Sequence, residues 1–247
     1  MRKIAIIGGT GWDEEAVKST FENSETRIIH TAWGDAKVVC LSAGDRDLFF
    51  MHRHVTPANN AHVPPHRINY RANIAALHAL GAQHIFATTA VGSLHPDWLA
   101  GSFALIEQII DFTSGRKSTF HDDDIVHTDM TAPYDATGTA LLQKIGARHQ
   151  LPLHTHVTYI CTNGPRFETT AEIRLFARWG ADVVGMTGMP EVALARELAL
   201  PYSAISVITN AAAGISPTPL THQEVTDCMQ IALPQLKELL LEAAAVI

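Results

Sequence analysis

The chain is expected to fold as α/β, a single domain over residues 1–247 with a central mixed, mostly parallel twisted sheet flanked by helices. Three observations carry this. Apolar strand-like segments alternate with helix-like ones along most of the chain, the order that builds βα units. Several of those apolar segments run straight into glycines and hydroxyls, as strands do where a sheet delivers ligand-binding turns. With 47% hydrophobic residues among 247, the chain can bury a large core without dividing.

Taken in order, residues 3–7 (KIAII) read as a buried strand entering Gly8-Gly9-Thr10-Gly11, a turn whose backbone N–H groups can cradle an anion, with the Thr10 hydroxyl beside them. A dinucleotide fold is the rival reading. GGTGW lacks the full GxGxxG spacing, and the region ~20 residues on shows no convincing strand with an acidic ribose contact. Residues 37–42 and 47–51 read as strands of a hairpin-like meander, followed by His52-Arg53-His54. An arginine beside a histidine at a strand exit suits either a bidentate grip on phosphate oxygens or plain basic surface before a loop. The proline- and histidine-rich loop 55–66 and a helix over 68–80 come next.

Residues 82–90 form another strand, delivering Thr88, Thr89 and Gly92 where ligands collect in an open α/β sheet. A strand over 102–112 precedes the polar segment 113–134, whose Asp122-Asp123-Asp124 run lacks the alternate spacing of a cation loop and reads as a solvated face. No metal is expected. Helix 136–149, strand 154–161, helix 171–178, strand 181–186, helix 191–199 and strand 202–209 continue the alternation. The amphipathic helix 223–246, with Pro234 as a kink, closes the chain.

The stretch 159–172, YICTNGPRFETTAE, carries the most chemistry. Phe167 can stack on a flat heterocycle while Glu168 accepts from its edge, although core plus cap is the bland alternative. Asn163-Gly164-Pro165 would end the strand, and Thr169 or Thr170 would cap the following helix.

A net charge of −7 and a pI near 6.0 leave no basic footprint for nucleic acid or an anionic membrane, so a phosphate must be held by local chemistry. Cys40, Cys161 and Cys228, with no CxxC spacing, argue against a disulfide framework and against zinc, and suit thiols in a reducing compartment. The first residues break into glycines before an apolar leader forms, and no run reaches membrane-spanning length. A cytoplasmic protein with a small soluble ligand is expected.

IIGGTG, HRH followed by NYRANI, TTAVGSL, NGPRFETTAEI, WGADVVGMTGMPE and VITNAAAG occur in the order and spacing of the trimeric purine nucleoside and methylthioadenosine phosphorylases. The resemblance covers nearly the whole chain, and GGTG with NYRANI resembles the methylthioadenosine branch. It implies a purine nucleoside phosphorylase-like fold and a pentosyltransferase: inorganic phosphate, a co-substrate with no further cofactor, attacks the anomeric carbon of a purine nucleoside and releases free base and ribose 1-phosphate. By the match, Thr10, Arg53, His54, Thr89, Ala90 (through its backbone N–H) and Thr187 hold phosphate. Met186 packs on the sugar, and Phe167, Glu168, Asn210, Ala211 and Ala212 surround the base. His127 is contributed to the pocket of a neighbouring subunit in a homotrimer or a dimer of trimers.

Two positions depart from the methylthioadenosine pattern, which resembles Ser where this chain has Glu168 and Asp-x-Asp where it has Asn210, Ala211 and Ala212. Asn donates to a 6-oxo group and Glu accepts from N1–H, so both changes point to inosine or guanosine as substrate. Catalysis would then rest on Asn210, Glu168 and His54. Thr221-His222-Gln223-Glu224-Val225 resembles the segment that reaches the ribose 5′-hydroxyl. His222 reads either as that contact or as a plain first residue of a helix, and methylthioinosine or methylthioadenosine is the alternative substrate. A nucleoside hydrolase would need a carboxylate or metal to activate water, and a non-catalytic binding module would not need Thr10, Arg53, His54 and Thr187 together.

Overall fold

The computed structural model describes residues 2–43, 46–217 and 220–247. Nine strands form one mixed sheet among these residues: β1 (Arg2–Gly8), β2 (Asn23–Thr31), β3 (Gly34–Ala43), β4 (Arg46–His52), β5 (His84–Ser93), β6 (Phe103–Phe112), β7 (Leu153–Thr162), β8 (Val183–Gly185) and β9 (Tyr202–Ala211). The helices are α1 (Glu14–Lys18), α2 (Tyr70–Ala79), α3 (Ala136–Arg148), α4 (Thr170–Arg178), α5 (Gly188–Glu197) and α6 (His222–Val246).

β1, β5, β8 and β9 are buried along most of their length because both their faces are covered. In β1, Ile4 and Ile6 join the core beneath α3 and α6, while Ala5 and Ile7 join the core beneath α2 and α5. β4 repeats the division, Leu48 and Phe50 to one face and Phe49 and Met51 to the other. Helix starts follow from side-chain caps: Asp13, Asn69, Asp135, Thr169 and Thr221 each accept from a backbone N–H of the first turn. Thr169 closes a full capping box with Glu172.

The sheet is mixed, as expected from sequence, and part of it closes on itself. β1 pairs parallel with both β4 and β5, and β5 pairs parallel with β9. Yet β9 pairs antiparallel with β6, β6 and β7 run parallel, β7 and β8 run parallel, and β8 returns antiparallel to the end of β5. β5, β9, β6, β7 and β8 thereby close into a ring. Gly92 is the junction: across a register shift at Val91/Gly92 it faces Asn210 on one side and Val184 on the other. A Cβ there would meet Asn210 Nδ2 at 3.3 Å and Val184 Cγ1 at 3.4 Å. Thr88 and Thr89 therefore lie within β5, and Gly92 lies at its end, one residue before Ser93.

Two elements escaped the sequence reading. α1 is only five residues long, and β2 is an edge strand with a largely exposed pattern, paired antiparallel with β3. A strand does follow the glycine turn after all. It lies at the sheet edge beyond β3 and β4 instead of beside β1, so a dinucleotide arrangement fails for that reason. α6 runs through Pro234 as one element. Asp122, Asp123 and Asp124 are exposed, with Asp122 paired to Arg71 at 2.7 Å. No helix among the described residues is long and apolar enough to cross a membrane.

Candidate active site

β1, β4, β5 and β9 all run in one direction, so the segments that follow or end them converge on one cavity of about 390 Å³. Thr10, Arg53, His54, Thr89, Ala90 and Thr187 line it, together with Phe167, Glu168, Met186, Asn210, Ala212 and His222. Two expected residues do not. Ala211 is absent from the lining, and its carbonyl accepts from Asn210 Nδ2 at 2.9 Å. His127 is exposed in the irregular segment after β6 and does not line the cavity of its own chain.

Arg53 lines the cavity and is also held from behind. Its guanidinium fork grips a carboxylate, not a free anion: Nε donates to Glu191 Oε2 at 3.0 Å and Nη2 to Glu191 Oε1 at 2.9 Å. Nη1 donates to the Thr88 carbonyl at 2.5 Å. Two of its five N–H groups remain for a ligand. Burial opposes the charge, but the Glu191 carboxylate more than offsets this and raises the Arg53 pKa above its ordinary value. The glycine turn makes the placement possible, since a Cβ on Gly9 would sit 2.8 Å from Arg53 Nη1.

His54 is neutral. Burial first, and the Arg53 charge beside it, hold its pKa at about 3, and burial holds neighbouring His52 at about 4. Its Nδ1 meets the Val63 carbonyl at 2.9 Å; a carbonyl only accepts, so Nδ1 carries the proton and Nε2 is left as an acceptor. His62 stacks on it with ring centroids 5.2 Å apart. Thr89 Oγ1 is bound to Ser206 Oγ at 2.6 Å, and the Thr187 backbone N–H donates to Tyr159 Oη at 3.2 Å. Gly185 is what admits that phenol, because a Cβ would stand 2.2 Å from it.

At the other end β7 stops at Thr162, and the loop carrying Phe167 and Glu168 folds back over Met186 at Gly164, whose φ is 57°. Thr162 Oγ1 donates to Glu168 Oε1 at 2.6 Å, and burial raises the Glu168 pKa. Asn210 has its amide orientation set by two bonds: Oδ1 accepts from Thr209 Oγ1 at 2.9 Å, and Nδ2 donates to the Ala211 carbonyl. A ring-stacking face, an acceptor and an amide donor thus share one pocket with an arginine, three histidines and four threonines.

Sequence reasoning missed three contributors. Glu191 was read only as a residue of α5; the usable signal was that a buried arginine requires a carboxylate. Arg116, in the segment read as merely polar, donates to the carbonyls of Thr162, Asn163, Met186 and Met189. The loop over 55–66 brings His62, Val63 and Pro64 to the cavity. His222 is both the first residue of α6, behind the Thr221 cap, and a lining residue.

The chain is similar to nucleoside phosphorylases in sequence and in structure. A 6-oxopurine nucleoside phosphorylase of Pyrococcus furiosus is 42% identical over 256 residues, covering 100% of this chain and 94% of the relative. A probable S-methyl-5′-thioinosine phosphorylase of Methanosarcina acetivorans is 41% identical, covering 98% and 89%. Among solved structures, the methylthioadenosine phosphorylase of Schistosoma mansoni in complex with adenine superposes with a TM-score of 0.91 at 30% identity, covering 100% of this chain and 91% of that one. The phosphorylase superfamily model matches residues 3–245, and the chain, with this fold and this cavity, belongs to that superfamily.

Proposed function

We propose that this protein is a 6-oxopurine nucleoside phosphorylase, a pentosyltransferase that cleaves inosine or guanosine with inorganic phosphate to the free base and ribose 1-phosphate. The observation that carries this reading is the pair Glu168 and Asn210 in one buried pocket, an acceptor and an oriented amide donor suited to N1–H and O6 of a 6-oxopurine. Adenine presents the opposite hydrogen-bonding edge, and unpaired or opposed polar groups in such a site reject it by factors on the order of 10⁴. Phe167 stacks on the base, and Met186 packs on the sugar.

Phosphate sits among Thr10, Arg53, His54, Thr89, Ala90 and Thr187. One of its oxygens attacks the anomeric carbon as the bond to the purine nitrogen breaks and its electron pair passes to the base. Asn210 and Glu168 stabilise the charge that develops there. The reaction draws on no cofactor. In this reading the working form is a homotrimer in which His127 completes a neighbour's pocket, and purine salvage is its use. The free thiols Cys40, Cys161 and Cys228 suit a reducing cytoplasm.

A second reading of the 5′ end is favoured by one observation. Leu220, Val225 and Val63 line the cavity with His222, and Val225 lies on the same face of α6 as His222. Such apolar company suits a methylthio group at the 5′ position, as in methylthioinosine. The test is base release from inosine, guanosine, adenosine and methylthioinosine, each with and without phosphate. Phosphate-dependent release of hypoxanthine is expected; phosphate-independent release would mean hydrolysis, and none at all would mean a binding module. The ratio of kcat/KM for inosine to that for methylthioinosine decides the 5′ group.

A further inference from the structure

Glu191 lies behind the anion end of the cavity, fully buried and outside its lining, on the first turn of α5. Both its oxygens are committed to the Arg53 fork, and Tyr202 Oη donates a third bond to Oε1 at 2.7 Å. Among the described residues that line the cavity, Arg53 is the one permanent cation. The histidine next to it is neutral at neutral pH, and the other groups at that end are threonine hydroxyls and backbone.

From this geometry, and resting on the phosphorolytic reading, we propose that Glu191 is a positioning residue that offsets the charge of Arg53, so that phosphate is held by oriented N–H and O–H donors without being electrostatically neutralised. The chemistry favours such an arrangement. The attacking oxygen must keep its charge until the sugar turns cationic, and an uncompensated guanidinium in a buried site would hold the free anion too tightly. With Glu191 in place, Arg53 acts as a fixed donor whose unused N–H groups are aimed from beneath the glycine turn. The Nε/Nη2 edge of its guanidinium is taken by Glu191 and is not available to phosphate.

The experiment is Glu191→Gln in the full chain, which removes the charge at nearly constant size, read by thermal melting with and without inorganic phosphate and by steady-state kinetics in each substrate. The proposal expects phosphate to raise the melting temperature of the variant more than that of the parent. It also expects the phosphate KM to fall about threefold or more while kcat falls about tenfold or more, with the nucleoside KM within about twofold. A raised phosphate KM, or a phosphate-induced melting shift no larger than the parent's, overturns it. Should Glu191→Gln not fold, Glu191→Asp keeps the charge and disturbs only the fork. A phosphate KM within about threefold of the parent supports charge compensation, and a larger rise overturns it in favour of fork geometry alone. The melting shift needs no turnover. Lack of phosphate-dependent base release by the parent would therefore defeat the phosphorolytic reading separately from this one.

Discussion

Asn210 shows how far a single side chain can be argued. One Nδ2 hydrogen goes to the Ala211 carbonyl and the amide oxygen is taken by Thr209, so the remaining hydrogen is the part left for a purine O6. Asn210→Asp replaces that donor with an acceptor, opposed both to O6 and to the Ala211 carbonyl. Its kcat/KM for inosine is expected to fall by ~10² to 10³, the ~2 to 4 kcal/mol that one bond to a leaving group supplies. Adenosine should gain only modestly, because Glu168 still meets its unprotonated N1. An inosine-to-adenosine ratio within a few-fold of the parent would remove Asn210 from the base. The residue types of this site were legible from sequence because their hydrogen-bonding chemistry is local. Arg53 was legible as a cation near the anion site but not as one already gripped, since Glu191 lies 138 positions away in the chain.

At the scale of elements, what holds together the end of the cavity that carries Phe167 and Glu168 is an arginine on a segment with no regular structure. The Arg116 guanidinium bonds the end of β7 through Thr162 and Asn163, the residue after β8 through Met186, and α5 through Met189. It also lies 5.4 Å over the Tyr70 ring of α2. Arg116→Met keeps the stem and removes the charged donors from those carbonyls in a half-buried place. The nucleoside KM is expected to rise about tenfold with the phosphate KM within about twofold, because the turns after β1 and β4 make no bond to Arg116. Initial rates with each substrate varied in turn measure this, and an equal rise in both constants would show a general loosening instead. The capping box at Thr169 was readable as a TxxE pattern, whereas nothing local in GRKST marks Arg116 as a clamp.

Across the whole molecule, buried histidines tie stability to pH. Burial holds His52, His54 and His84 at about 4, 3 and 4, against an ordinary 6.5. Below pH 6.5 the unfolded chain therefore takes up protons that the folded one refuses, so stability is full above that pH and falls as pH drops toward 4. His84, bound to Ser203 Oγ at 3.1 Å and outside the cavity lining, isolates the effect. His84→Gln is expected to lessen the stability lost between pH 7 and 4.5 by on the order of 2 kcal/mol, read by denaturant melts at each pH. An unchanged acid slope would mean that His84 is protonated in the folded state. The sequence by itself determined the α/β class, most strands and helices, the order of the turns that meet at the cavity and about half of the residues that line it. Periodicity, turn chemistry and caps act over a few neighbouring residues and are written in the order in which they are read. Only the tertiary structure decided that β5 shares its length among β1, β9 and β8 and so closes the sheet, and that β2 lies at the edge. It also decided that Arg53 faces Glu191 and that Ala211 is absent from the lining of the cavity. Those outcomes depend on pairing and burial between segments far apart in the chain, where each partner's environment is set by the other and neither carries a local mark of it.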